Sequence, residues 1–348
     1  MTRSAQEPRL ATRSGRPAAA VLAAVASGCS LSLLPPTSAP GEAINVVLSG
    51  EVAYVALGER GLGVYQLAPR SMAAVVAPQA GAESVDDLAL ADGLLFALDA
   101  RAPGYLSAYR LVDPRQPVLV SGPLPVPVEP FSGVSAAAGR VVVSGGTKPL
   151  TVASYAPSGP LGEVTASAEL GRGQPDVLLA PGGSIAWVST HFSWFQATFG
   201  VTALRLDAPP APPATLSRLQ LTGAGFTPGA AKPANFALET ALDGQTLLVA
   251  HGAGLAAVDV ADAAEPRLLS VTILPVRPVN VDAAGGVAAV VGSDPAPRLV
   301  LVDVRDPTAP RVERTVDMPP GSHPVAVALD GRHVVVAARA GGVVVVDR

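Results

Sequence analysis

The chain has 348 residues, with 24 Lys and Arg against 28 Asp and Glu, a formal charge of −4 and only 15% charged residues. Apolar residues make up 49%, and Gly and Pro number 35 each, about twice the ordinary usage for Pro and well above it for Gly. The apolar share excludes a disordered chain, and the Gly and Pro load excludes a helical bundle. The acidic balance excludes a nucleic-acid binder, and a lone cysteine cannot form an internal disulfide or a cysteine zinc site.

The first predicted element is an address. Residues 1–17 hold Arg3, Arg9, Arg13 and Arg16 against one acid, Glu7, and residues 18–27 are an uncharged apolar run. The run is too short to span a bilayer, which takes roughly 20 residues, and fits the apolar region of a secretory signal peptide. It ends at Ala26-Ser27-Gly28-Cys29, where small residues precede the only cysteine. This segment resembles a bacterial lipobox, with Ala26 where Leu is commoner. The resemblance implies a signal peptide over 1–28 and a lipid on Cys29 as the mature N-terminus. Losing four Arg and one Glu would take the charge from −4 to −7. Ser30, in place of Asp, goes by the same resemblance with outer-membrane sorting.

The remainder repeats. A unit of four short runs rich in Val, Leu and Ala recurs, clearest at 242–273 and over 299–347. Strand A follows an X-Pro step (Pro324 onward), a Gly turn leads to strand B, a Gly loop to strand C, and a Pro-rich turn to strand D. Short runs of this kind, punctuated by Gly and Pro, are strand chemistry. The glycine before strand B recurs at Gly50, Gly93, Gly139, Gly183, Gly244, Gly286 and Gly331, at intervals of 43, 46, 44, 61, 42 and 45. A bulky residue falls four positions later at Tyr54, Trp187, Leu248, Val290 and Val335, and three later at Phe96 and Val142. A four-stranded period of about 40–50 residues is a propeller signature. Residues 42–348 are therefore predicted to be an all-β propeller of seven four-stranded blades, the weaker copies leaving six or eight open.

The turns Asp303-Val-Arg-Asp306-Pro307-Thr-Ala-Pro310, Asp259-Val-Ala-Asp262-Ala-Ala-Glu-Pro266 and Val112-Asp113-Pro114-Arg-Gln-Pro117 resemble the Asp-Pro-x-x-Pro turn of LVIVD-repeat proteins. Leu299-Val-Leu-Val-Asp303 resembles the motif that names them. The resemblance implies a bacterial or archaeal surface β-propeller with no common activity, and covers 42–348. The last blade stops at strand C. Residues 29–41 are then either the outer strand that closes that blade, through Ser30–Leu34, or a tether to the lipid; Pro35, Pro36 and Pro40 suit a tether.

In such blades the D–A and B–C connections share one face, and the A–B and C–D turns the other. The elaborations fall on the first face. Blade four inserts His191-Phe192-Ser193-Trp194-Phe195-Gln196-Ala197-Thr198-Phe199 between strands B and C. The connection at 223–236 carries Lys232, and shorter inserts lie at 99–104 and 293–298. Glu129, Gln174, Asp176, Arg277, Asn280 and His323 precede strand A and should ring the channel mouth. Aromatics beside polar groups suit a carbohydrate, peptide or apolar ligand, or else fold down as a cap over the rim. The mouth groups either meet a ligand or bond the backbone around them. There is no nucleophile elbow and no metal-ligand helix; Gly58-x-x-Gly61-x-Gly63 and Gly223-x-Gly225 open no helix and are not phosphate loops. A metal would need long-range convergence of His323 with Asp176 or Glu129. No cofactor is expected. The leading expectation is a lipid-anchored, non-enzymatic envelope propeller binding a protein or polysaccharide. The alternatives are a lactonase-like hydrolase with a channel-mouth site and a structural subunit of an envelope assembly.

Overall fold

The structure is a computed structural model, and it describes residues 31–34 and 42–348 except 102, 129–131, 146–147, 157–160, 167–175, 194–197, 208–211, 222–238 and 253. The described residues form seven four-stranded antiparallel sheets. Strand β1 is Leu31–Leu34. Blade one comprises β2 (Asn45–Ser49), β3 (Val52–Ala56), β4 (Leu62–Leu67) and β5 (Arg70–Val76). Blade two comprises β6 (Asp87–Ala91), β7 (Leu94–Asp99), β8 (Gly104–Arg110) and β9 (Val118–Val126). Blade three comprises β10 (Val134–Ala137), β11 (Arg140–Gly145), β12 (Lys148–Tyr155) and β13 (Leu161–Ala166). Blade four comprises β14 (Val177–Leu179), β15 (Ile185–Ser193), β16 (Thr198–Arg205) and β17 (Ala214–Gln220). Blade five comprises β18 (Glu239–Asp243), β19 (Thr246–His251), β20 (Gly254–Asp259) and β21 (Arg267–Ile273). Blade six comprises β22 (Pro278–Ala284), β23 (Val287–Gly292), β24 (Arg298–Asp303) and β25 (Arg311–Asp317). Blade seven comprises β26 (Ala326–Leu329), β27 (His333–Ala337) and β28 (Val343–Asp347), and its fourth strand is β1. The chain is a seven-bladed β-propeller.

Strand chemistry follows position in the blade. Every residue of β3, β7 and β23 is buried, because second strands lie between neighbouring blades and pack on both faces. Such strands read as continuous Val, Leu and Ala rather than as an alternation. The outer strand β25, on the rim, is mostly exposed and carries Arg, Glu and Thr. The core is divided into seven apolar clusters, one per blade interface. The cluster of Ala53, Val55, Val335, Ala337, Val343 and Val345 joins blades seven and one and closes the ring.

The repeated signals have local causes. Six of the seven turn glycines, from Gly50 through Gly286, have φ between +56° and +78°. That left-handed backbone suits the tight turn between strands A and B and is strained for a residue with a β-carbon. Gly331 does not share it. The bulky residue three places into strand B is buried at Tyr54, Phe96, Val142, Trp187, Leu248 and Val335, each packed toward the following blade. Blade six departs from the expectation. Its turn is Gly285-Gly286, so the equivalent position is Ala289, in the cluster shared with blade seven. Val290 instead packs toward blade five.

The Asp-Pro turns close on themselves and onto the preceding blade. Asp113, Asp262 and Asp306 each accept the N–H two residues on, at 2.9, 2.8 and 3.0 Å, the self-bonding that favours Asp in turns. The carbonyl that follows each Asp accepts a hydroxyl from the blade before. Tyr54 donates to Pro114 at 2.7 Å, Ser217 to Ala263 at 2.6 Å and Ser270 to Pro307 at 2.6 Å.

Candidate functional site

The inner strands β2, β6, β10, β14, β18, β22 and β26 surround a channel of ≈ 380 Å³. Each begins at the face carrying the D–A connections, so its first residue stands at one mouth. Asn45, Asp87, Glu239 and Asn280 occupy equivalent places there, paired with Ala56, Leu98, Ala250 and Val291 near the ends of the adjacent strands. Asp176 joins them one residue before β14, and Asp282 lies deeper on β22. The channel lining thus includes four carboxylates, and among the described lining residues there is no Lys, Arg or His.

These groups bond across blades. Asp87 accepts the Val134 N–H at 2.7 Å and Asp282 the Leu329 N–H at 2.7 Å. Asp176 accepts from both the N–H and the hydroxyl of Thr240, at 2.8 and 2.6 Å. Asn280 donates to Glu239 at 3.2 Å and accepts from the Val327 N–H at 3.0 Å. Ser135 accepts the Leu179 N–H at 2.9 Å. The inner strands do not share a ladder, so side-chain acceptors satisfy amides that would otherwise go unpaired around the channel. Asn45 is the exception: its Oδ1 is buried with no hydrogen-bond partner among the described residues.

The electrostatics follow from enclosure. Burial pushes the Asp87 carboxyl up to about 7, with the nearby charges of Asp176 and Asp86 adding to the effect against two backbone hydrogen bonds. Burial raises Asp176 despite the Thr240 hydrogen bonds. Glu239 is raised well above the carboxylate range, first by burial and then by the charges of Asp176 and Asp87. Asp282 is pushed up to about 6 by burial. Buried carboxyls crowded together favour protonation. Asp87 Oδ2 and Asp176 Oδ1 lie 3.5 and 3.6 Å from the point a Gly133 β-carbon would occupy, so both carboxylates line the same small space beside Gly133.

The sequence-predicted residues divide. Asp176 and Asn280 are both at the channel mouth, on blades four and six. Arg277 and His323 are on the same face, Arg277 with its N–H on the Asp294 carbonyl at 2.8 Å and His323 exposed, but neither lines the channel. His191 and Phe192 lie on β15 and Phe199 on β16, with His191 opposite Phe199 in the ladder. Cys29, Glu129, Trp194, Phe195 and Lys232 lie outside the described residues, and so does the convergence with Glu129 that a metal would need. Among the described residues no group of three His, Cys, Asp or Glu side chains is placed to hold a metal. Sequence reading missed Asp87, Glu239, Asp282 and Asn45. Their signal was present: each is a polar residue on an inner strand, four to six places before the turn glycine.

Aspartates also tie the opposite face. Asp92 accepts the Gly139 N–H at 3.1 Å and the Tyr155 hydroxyl at 2.8 Å, and Asp243 accepts the Gly286 N–H at 2.6 Å.

No family model matches the chain, and no curated protein matches it. Solved structures share the fold. The structure of U3-55K has a TM-score of 0.66 at 9% identity, over 91% of this chain and 98% of that one. The computationally designed Ika8 protein has a TM-score of 0.57 at 9% identity, over 87% of this chain and 82% of that one. At such identity the likeness is one of fold, and a fold this widely shared carries no activity with it.

Proposed function

We propose that the chain is a lipid-anchored envelope propeller of the LVIVD-repeat kind, held to the outer membrane through Cys29, and that its channel-mouth face binds a protein or polysaccharide without chemistry on it. The observation that carries the binding role is the asymmetry of the two faces. Strands β15 and β16 run nine and eight residues against three in β14. Their hairpin therefore outgrows its own blade at the mouth face, carrying His191, Phe192 and Phe199 and leading into Trp194 and Phe195. A hairpin that rises past its sheet adds no partner strand to the ring, and its aromatic content is that of a contact surface. The anchor rests on the basic run, the apolar run and the placement of the only cysteine directly after them.

The test of the binding role is capture of envelope polysaccharide and protein by the wild type and by Trp194→Ala and Phe192→Ala. Loss of capture at unchanged melting supports it; retained capture with lowered melting makes the hairpin a cap. Fractionation of Cys29→Ser tests the anchor, since a mutant that stays with membranes is held by something else.

The raised carboxyls of Asp87, Asp176 and Glu239 favour a second reading. Perturbed acids gathered in a channel are a general acid–base arrangement, and the corresponding function is hydrolysis of a lactone or ester at the mouth. Turnover of such a panel by the wild type and its loss in Asp87→Asn would establish this reading; no turnover removes it.

A further inference from the structure

Strand β1 is laid against β28 with Leu31 opposite Val346, Ser32 opposite Val345, Leu33 opposite Val344 and Leu34 opposite Val343. The direction of this pairing says where the chain before it emerges. In blade seven β26 leaves the channel mouth, β27 returns to it and β28 leaves it again, so Val343 is near the mouth face and Val346 near the face of the A–B and C–D turns. Antiparallel to β28, β1 enters at the turn face and exits at the mouth face. The following segment confirms the direction: Ala43 bridges Arg339, in the B–C loop of blade seven, before β2 begins at the mouth. Cys29 is two residues before Leu31, so the chain allows it no more than about 7 Å from Leu31.

We infer that a lipid on Cys29 holds the propeller turn face toward the bilayer, through the rim of blade seven, and directs the channel mouth and the β15–β16 hairpin away from it. This rests on the lipid anchor proposed above. A long tether would leave the ring free to tumble; here the segment that closes the ring is the segment that follows the lipid, so the anchor is joined to a paired strand with one residue, Ser30, between them. The occupant of the turn face is the lipid surface. The mouth face, with the carboxyls of Asp87, Asp176 and Glu239, stays open to a partner from the far side, where it is not pressed against anionic headgroups.

The experiment uses the full chain, processed and purified in detergent, then placed in phosphatidylethanolamine–phosphatidylglycerol vesicles that carry a nitroxide quencher on the headgroup. A lipid on the Cys29 sulfur leaves no free thiol, so one introduced cysteine takes one fluorophore. Ala309→Cys lies in the exposed turn between β24 and β25, and Ser293→Cys in the exposed loop between β23 and β24 at the other end of the same blade. The two are separated by the length of β24, about 20 Å at roughly 3.3 Å per residue. The expected result is severalfold stronger quenching at Ala309→Cys than at Ser293→Cys. Equal quenching, or the reverse order, in protein whose N-terminal mass includes the lipid overturns the orientation and leaves the anchor standing. A mature N-terminus without lipid overturns both. Inserting about twelve Gly and Ser residues between Ser30 and Leu31, with a reach of roughly 20 Å, should abolish the difference at unchanged melting; a difference that survives the insertion also overturns the inference.

Discussion

Asp176 Oδ2 accepts two hydrogen bonds from Thr240, one from its backbone N–H at 2.8 Å and one from its hydroxyl at 2.6 Å. The pair ties the entry to blade four to the inner strand of blade five across 64 residues of chain. The 61 residues between Gly183 and Gly244 are the longest interval between consecutive turn glycines, and the contact sits where no main-chain ladder joins the two blades. The same carboxylate is one of the crowded acids at the mouth, so a single group serves both the ring and the channel.

Removing that acceptor should cost stability. Asp176→Ala leaves the Thr240 amide and hydroxyl unsatisfied in a partly buried place, at about 1–3 kcal/mol. Asp176→Asn keeps an acceptor oxygen and removes a charge from the cluster, so it should unfold near the wild type. Urea unfolding of both variants decides it. An alanine variant as stable as the wild type would show that the contact contributes nothing.

The channel acids predict a pH dependence of definite sign. Asp87 titrates at about 7 and Asp282 at about 6 in the folded ring, against about 4 in an unfolded chain. Between those limits the folded state holds more protons, so the free energy of unfolding falls as pH rises. The stabilisation is complete below the unfolded value and is lost as pH climbs through 6 and 7. Buried His251, lowered from 6.5 to about 4, opposes this in the lower part of the window, but the raised acids outnumber it, so melting temperature should still rise on going from about pH 8 to about pH 5, and Asp87→Asn should flatten the slope. A melting temperature that increases with pH across this window would contradict the crowding.

Blades two and three meet at an aromatic pair, Phe96 and Tyr155, with ring centroids 4.7 Å apart and planes inclined at 53°. Phe96 is fully buried, and Phe96→Ala should cost about 3–5 kcal/mol. Tyr155→Phe keeps the ring and loses only the hydroxyl bond to Asp92, for about 1 kcal/mol. Chemical denaturation of the two variants should show that order, and the reverse order would place the stability in the hydroxyl.

The closing strand gives a fourth expectation. Deleting residues 31–34 behind an intact signal sequence exposes the outer edge of β28, which pairs with β1 over four positions. An unpaired edge invites pairing with another chain. The shortened protein should melt lower and associate with rising concentration in sedimentation experiments. Unchanged melting and a monomer at all concentrations would deny β1 a part in closure.

The repeat was legible along the chain because its causes are local. Gly93 and Gly244 mark a turn whose backbone favours glycine, and Asp306-Pro307 marks one whose aspartate bonds its own amides. Continuous Val in β28 says only that both faces are buried, and that suffices to name a strand between two neighbours. Ala289 was not legible. In blade six strand B begins directly after Gly286, as it does after Gly93 and Gly139, whereas one residue intervenes after Gly50, Gly183, Gly244 and Gly331; side chains in a strand alternate sides with every residue, so the third place falls on Ala289 and Val290 turns to the other neighbour.

The order of strands, the blade period and the two distinct faces follow from the amino-acid sequence, because each blade is made of short segments whose turns and burial are decided within about 45 residues. The channel does not. Asp87, Asp176 and Glu239 come from blades two, four and five, and each looks in its own segment like one polar residue beside an apolar strand. Only closing the ring brings them to a common radius, where burial raises all three and like charge adds to it at Asp87 and Glu239. Closure likewise selects the partner of β1: four residues that alternate acceptably could have been a tether, and it is the open edge of β28, left by a last blade with three strands of its own, that gives them a place and a direction.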